Sequence, residues 1–261
     1  MLDIAIISFN DAHPLKSRMQ LLFPDANVFV QSAVDIRNVP MDSLLSSKII
    51  NETAYTTLTS GRKWHWEFNS RGGVGLSEAN RLCLSRSTNP LLLFEEDCEI
   101  HCTKKLKETV EFMLQHETDF DLVTFDPLRV EGQRKKIDLE GKKCEMITNG
   151  NFWGLHCVLY SSAGRKFISN YLTNNTLSMQ IDGLYSFLAN SSQLRVFVIA
   201  DKIVFQTRHL STIQTDFCHL CDLEPSHKLT FFEIVWNYKI IICFTLLIII
   251  IMKTKMHCNQ L

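Results

Sequence analysis

The chain has 261 residues, 46% of them apolar and 21% charged, which suits one sizeable α/β domain and is too apolar for a disordered segment. The formal net charge is -1, so there is no basic excess to track a phosphate backbone, and nucleic acid is not expected as a partner. Nine cysteines, an odd number without a repeating pattern, read as reduced thiols rather than a disulfide framework.

The first residues, Met1-Leu2-Asp3-Ile4-Ala5-Ile6-Ile7-Ser8, lack the basic start and cleavage site of a signal peptide and read as a buried strand. From there to about residue 225, strand-like and helix-like segments alternate, which predicts an α/β fold with a mostly parallel sheet. Strands are expected at 4–8, 27–31, 91–94, 122–125, 155–160, 195–199 and 203–205. Several are short continuous apolar runs, as in strands buried on both faces. Thr103 can cap a helix carrying Leu106, Val110 and Met113 on one face. Ser161 or Ser162 can cap another with Phe167, Ile168, Tyr171 and Leu172, and a third would carry Ile181, Leu184, Tyr185 and Leu188. Residues 131–143, charged and glycine-punctuated, read as a mobile surface loop.

Residues 226–261 form a second region. Residues 240–252 are almost wholly apolar, and extending the run back to Trp236 brings it to the short end of the ~17–25 residues that a spanning helix needs. Trp236 and Tyr238 suit an interfacial belt, and Lys239, Lys253 and Lys255 can snorkel from the two ends. The expectation is a membrane-associated protein with a single C-terminal anchor over 236–252, its orientation left open by lysines on both sides. Nearby, Cys218 and Cys221 form one CxxC; a structural zinc site usually needs two such pairs, so packed thiols are the simpler reading.

The densest chemistry lies in Asn89-Pro90-Leu91-Leu92-Leu93-Phe94-Glu95-Glu96-Asp97. Pro90 can open a strand, four apolar residues run through the sheet, and three carboxylates follow at its C-terminal end. In open α/β sheets that edge is where ligands bind. Adjacent carboxylates repel one another, and a hard divalent ion such as Mn²⁺ or Mg²⁺ would offset the cost and bridge to a diphosphate. A solvated acidic turn before the helix at Thr103 is the plainer alternative.

The segment Phe94-Glu95-Glu96-Asp97-Cys98-Glu99-Ile100 resembles the Leu-Glu-Asp-Asp-Val segment of glycosyltransferase family 25, which includes bacterial lipopolysaccharide galactosyltransferases and collagen galactosyltransferases. Other stretches match in the same order, over about residues 2 to 206. The opening strand, Arg18 and Ala33-Val34-Asp35 look like the family's donor-binding region, and Gly72-Gly73-Val74-Gly75-Leu76-Ser77 is similar to its glycine-and-serine segment opening a helix. Asn149-Gly150-Asn151-Phe152-Trp153-Gly154-Leu155-His156, then Ser161-Ser162-Ala163-Gly164, resembles its strand, turn and helix, and Ile181-Asp182 its later Val-Asp segment. The sequence departs from the pattern at Glu96, where the family has Asp, at Glu78, where it has His, and in the order Ala163-Gly164.

The resemblance implies a single Rossmann-like nucleotide-sugar-binding domain of the glycosyltransferase A type. It implies metal-dependent transfer of a hexose, galactose or glucose, from a UDP-sugar to a glycan, lipopolysaccharide-like or protein acceptor. Glu95, Glu96 and Asp97 would form a DxD-like metal site, and Arg18, Asp35, Gly73, Gly75 and Ser77 would contact the donor. Asp182, at a helix start, is the first choice for the base that deprotonates the acceptor, and Asp126, at a strand end, the second. Trp153 could stack on a sugar or pack in the core, and His156 reads as a packed histidine. The alternative is a catalytically inactive protein of the same fold, acting as a membrane-anchored binding module.

Overall fold

The computed structural model describes residues 1–61, 66–68 and 70–207, all within one unit, Met1–Asp216. The expected boundary near residue 225, the CxxC and the apolar run 236–252 lie outside the described residues. Among the described residues, no helix is long and apolar enough to cross a membrane.

Strand β1 (Asp3–Ser8) is buried along its whole length. Helix α1 (Pro14–Leu22) follows, with proline at its first position, where the missing N–H costs nothing, and His13 as cap. Strand β2 (Asn27–Ser32) precedes three helices: α2 (Met41–Ser46), α3 (Glu52–Ser60, capped by the Asn51 side chain) and α4 (Arg71–Arg86, capped by Ser70). Then come β3 (Leu91–Glu95), β4 (Cys98–Ile100), α5 (Thr103–Gln115) and β5 (Leu122–Phe125). A long hairpin of β6 (Arg129–Leu139) and β7 (Lys142–Trp153) leads into β8 (Cys157–Tyr160). Helices α6 (Ser162–Asn174, capped by Ser161) and α7 (Ile181–Asn190) and strands β9 (Val196–Ile199) and β10 (Val204–Gln206) complete the described chain.

Eight strands form one sheet in the order β2-β1-β3-β8-β5-β9-β7-β6, and β4 pairs with β10 in a second, two-stranded sheet. The α/β class is as expected, but the large sheet is mixed rather than mostly parallel. Strand β1 runs parallel to β2 and β3, and β5 to β9. Strand β8 lies antiparallel between β3 and β5, and β7 antiparallel to β9 and β6. The cause is the hairpin: the chain leaving β5 turns back on itself, so β8 enters the sheet from the opposite edge.

Residues 131–143 therefore belong to the two strands of a hairpin and the turn at Glu140-Gly141, not to a mobile loop. Their charges follow neither period because both faces of β6 are largely exposed. Glu140 and Gly141 both take positive φ, 47° and 88°, the two-residue geometry that closes a hairpin with the twist of its strands.

Each face of the sheet has its own core. On one, Ile7, Leu91, Leu93, Val158 and Tyr160 meet α4, α6 and α7 through Val74, Ile168 and Tyr185. On the other, Ile6, Leu92, Phe94 and Leu159 meet α1 and α5 through Met19, Leu106 and Val110. The residues Leu91 to Phe94 are fully buried, and each stabilises the fold by about 2 kcal/mol. That burial holds the end of β3 in place against the mutual repulsion of the carboxylates that follow it.

Candidate active site

Strand β3 ends at Glu95, whose N–H donates to the His156 carbonyl (3.0 Å). Glu96 and Asp97 form the turn into β4. Two neighbouring elements hold that turn. From the end of β1, Ser8 Oγ (2.9 Å) and the Phe9 amide (3.3 Å) donate to Glu96 Oε2. From β10, Gln206 Nε2 donates to Asp97 Oδ2 (2.7 Å), and the Thr207 amide and hydroxyl donate to the Asp97 carbonyl (2.8 and 3.0 Å).

The carboxyl of Glu95 is pushed up to about 8, first by burial and then by the negative charges of Asp97, Asp182 and Glu96. Asp182, some ninety positions later in the sequence, is thus near enough for its charge to act on Glu95. Asp182 lies in the first turn of α7, where its Oδ1 accepts the Gly183 amide (2.8 Å). Glu95, Glu96 and Asp97 therefore stand at the C-terminal end of β3, within electrostatic reach of Asp182.

The remaining expected site residues are used differently. Asp126, with φ of 45°, closes the loop between β9 and β10: its carboxylate accepts the amides of Lys202 (2.7 Å), Ile203 (2.5 Å) and Val204 (3.0 Å). Those three donors take up three of the carboxylate's roughly four lone-pair sites, and through them Asp126 holds the loop. Arg18 sits on α1 and donates from Nη2 to the Ile100 carbonyl of β4 (3.3 Å). Asp35 lies beyond the end of β2 in a two-pronged pair with Arg37 (2.8 and 2.6 Å), whose hydrogen bonds hold its carboxyl down at about 2. The Arg37 guanidinium in turn lies 5.7 Å from the centre of the exposed Phe9 ring.

Gly73, Gly75 and Ser77 lie inside α4 and are buried. A Cβ on Gly75 would stand 2.1 Å from the Val34 carbonyl oxygen, so the glycine lets α4 press against the backbone at Val34. Ser77 Oγ donates to the Gly73 carbonyl (3.0 Å). These residues lie in the first two turns of α4, and the contacts described for Gly75 and Ser77 are ones of packing within the fold. His156 is fully buried, and desolvation pulls it down to about 4 against the opposing charge of Asp126. Trp153 is half-buried at the end of β7, with the Arg129 guanidinium 5.7 Å from its ring centre.

The sequence reading passed over Ser8, Gln206, Phe9 and Arg37. Ser8 carried a signal, as the polar residue ending an apolar strand. Gln206 carried none, because only the β4–β10 pairing brings it to Asp97. The donor set, carboxylates held close enough to raise Glu95, fits a hard divalent cation in chemistry. Among the described residues, no three His, Cys, Asp or Glu side chains are grouped to enclose an ion by themselves. An ion of the Mg²⁺ type is held by one or two carboxylates, with substrate phosphates and water completing its shell, and this turn can offer that much.

No family model and no curated protein matches this sequence. Among solved structures, the chain is similar to A197 from STIV, at 12% identity and a TM-score of 0.34, over 84% of this chain and 99% of that one. It is similar to S. aureus TarS at 15% identity and a TM-score of 0.40, over 78% of this chain and 36% of TarS, so it spans about a third of that protein. It is similar to a mannose-1-phosphate geranyltransferase from Thermus thermophilus at 12% identity and a TM-score of 0.34, over 76% of this chain and 73% of that one. Likenesses this slight carry no functional conclusion, which rests on the residues above.

Proposed function

We propose that this chain is a glycosyltransferase that moves a hexose, galactose or glucose, from a UDP-sugar to a glycan, lipopolysaccharide-like or protein acceptor, with Mn²⁺ or Mg²⁺ as cofactor. The observation that carries the reading is the run Glu95-Glu96-Asp97 at the C-terminal end of a buried strand, with the charge of Asp182 near enough to help raise Glu95. The ordered resemblance to glycosyltransferase family 25 supports it, since the same residues lie in the segments that match.

In this reading Asp97 and Glu95 hold the metal, with Glu96 as alternate ligand. The bound ion supplies charge neutralisation for the diphosphate leaving group. Ser8 and Gln206 fix the carboxylates of the turn, so the negative charge stays where the ion would be held. Asp182 accepts the proton of the acceptor hydroxyl as its oxygen attacks the anomeric carbon. The departure at Glu96 fits its bonding: its longer side chain reaches back to Ser8 and Phe9.

A second reading, a non-catalytic binding module of the same fold, draws on the lack of a three-ligand group among the described residues. Calorimetry on the full-length chain separates the two. UDP-galactose or UDP-glucose should bind only with Mn²⁺ and should turn over when an acceptor is added. Metal-dependent binding without any turnover or donor hydrolysis would favour the module, and no binding to a folded protein would sink both. We also place the chain at a membrane through 236–252: alkaline extraction should leave it in the pellet, and Leu247→Lys with Ile248→Lys should release it.

A further inference from the structure

Asp97 is held by β10, and β10 is a slight element. It and β4 are three residues each and form a ribbon separate from the large sheet. A two-stranded ribbon this short is marginal on its own backbone bonds. Its register nonetheless has to be fixed. Val204 pairs with Ile100, Phe205 with Glu99 and Gln206 with Cys98, and the next step sets Thr207 against Asp97. In that register Gln206 Nε2 reaches the Asp97 carboxylate, and the Thr207 amide and hydroxyl reach the Asp97 carbonyl. A slip of one residue would turn Gln206 to the other face of the ribbon.

The register is fixed at the other end of β10, by Asp126. Its Oδ1 accepts the Lys202 amide, and its Oδ2 accepts the amides of Ile203 and of Val204, the first residue of β10. Three consecutive amides on one carboxylate fix that backbone, and bonds to an ionised acceptor are the stronger kind. The Ile203 carbonyl, held in this way, accepts the His101 and Cys102 amides just beyond β4 (2.9 and 3.3 Å). Asp126 itself is tied to the large sheet, since its amide donates to the Ile199 carbonyl of β9 (2.7 Å). Its φ of 45° suits aspartate and asparagine better than most side chains. A continuous path of hydrogen bonds therefore runs from the end of β5, through 202–204 and β10, to the carboxylate of Asp97.

We infer that Asp126 is a positioning residue for Asp97, acting through the register of β10 and the side chain of Gln206. The inference rests on the transferase reading for its purpose, because a fixed Asp97 matters most where a cation is to be held. It gives Asp126 a part in the site that needs no proton transfer. Partners behind a metal-holding group typically change metal affinity ~10–100-fold, and Asp126 acts through one further intermediary, so the lower end of that range is expected. A rival route exists. The charge of Asp126 acts on buried His156, whose carbonyl holds the Glu95 amide, and that route bypasses Gln206. The two routes differ in how the effects of Asp126 and Gln206 combine.

Two measurements on the full-length chain test this: amide hydrogen exchange without metal, and uptake of Mn²⁺ in the presence of UDP, read from the paramagnetic resonance of the free ion. Asp126→Gly removes both acceptor oxygens and accepts the positive φ; Asp126→Asn keeps one oxygen and is the milder variant should the glycine chain not fold. Asp126→Gly should speed exchange over 203–207 and weaken Mn²⁺ uptake, each about tenfold, with a smaller effect of both kinds in Asp126→Asn. Adding Gln206→Ala to Asp126→Gly should cost little more, about twofold at most, since both act on one path. Asp121→Asn is the control: that carboxylate, at the opposite end of β5, holds the Arg195 amide and guanidinium, and its loss should leave Mn²⁺ uptake native in the folded fraction. Protected 203–207 amides in Asp126→Gly would overturn the inference. So would losses that multiply in the double variant, or an equal loss in Asp121→Asn. A native chain that takes up no Mn²⁺, but whose 203–207 amides open in Asp126→Gly, would retire the transferase reading and leave Asp126 as the residue that positions Asp97.

Discussion

Two carboxylates sit at opposite ends of adjacent strands, and the fold treats them in opposite ways. Asp3, at the N-terminal end of β1, is 2% exposed. It accepts Asn27 Nδ2 (3.2 Å), the Thr88 and Asn89 amides (3.0 and 3.3 Å) and Asn89 Nδ2 (3.3 Å). Burial raises its carboxyl, but those hydrogen bonds outweigh it and leave the pKa below the ordinary value. Glu95, at the C-terminal end of β3, is pushed up to about 8 by burial and three neighbouring carboxylates. A carboxylate kept for architecture is surrounded by donors. One kept beside other carboxylates stores repulsion that only a proton or a cation relieves.

The contrast is most easily broken at Asp3. Asp3→Ala strands several buried donors and should cost about 4 kcal/mol in urea unfolding, while metal-dependent donor affinity in the folded fraction stays native. Asp97→Asn should do the reverse: a small change in stability and about a hundredfold loss of Mn²⁺-dependent UDP-sugar binding, read by calorimetry. Gln206→Ala removes only the donor that orients Asp97, so a tenfold loss, about 1.4 kcal/mol, is expected in the same assay.

The smallest effect sharpens the comparison through pH. Glu95 has a folded pKa of about 8 against an ordinary value of 4.5, so the folded state holds its proton more tightly than the unfolded chain does. In the presence of chelator, stability should fall as pH rises from 4.5 through 8, on the order of 1 kcal/mol after solvent screening. Glu95→Gln should abolish that fall. For Asp3, whose pKa is depressed, the sign reverses: its contribution is present above 3.8 and is lost as acid protonates the folded carboxylate. Thermal melts across the pH range that show the same slope in native and Glu95→Gln chains would remove the electrostatic basis for the site.

Most of this fold was legible in the sequence because its strands are buried on both faces. Continuous apolar runs marked β1, β3 and β5 to within a residue or two, and a serine cap marked the start of α6. The hairpin of β6 and β7 was not legible, since its charged, exposed strands follow no hydrophobic period and only the Glu140-Gly141 turn betrays them. The site divides in the same way. Adjacent carboxylates after an apolar run can be seen in one dimension, and Asp182 was reachable through resemblance. The partners Ser8 and Gln206 come from strands eighty-eight and one hundred and nine positions away, a separation no local pattern encodes. Asp126 drew attention for the right geometric reason, its place at a strand end, but its carboxylate is taken up by the backbone of 202–204.

Strand β6 also decides how these molecules behave at high concentration. It is the outermost strand of the large sheet, so one row of its backbone groups faces no neighbour within the sheet, a template on which a second chain could build. Arg134, Lys135 and Lys136 occupy its middle, and two copies brought edge to edge in antiparallel register would set these cations against one another. The same charges that hid the strand from a reading of hydrophobic pattern act as gatekeepers against aggregation. Replacing Lys135 and Lys136 with threonine would leave a β-prone edge on which assembly, rather than unfolding, becomes the way this protein leaves solution.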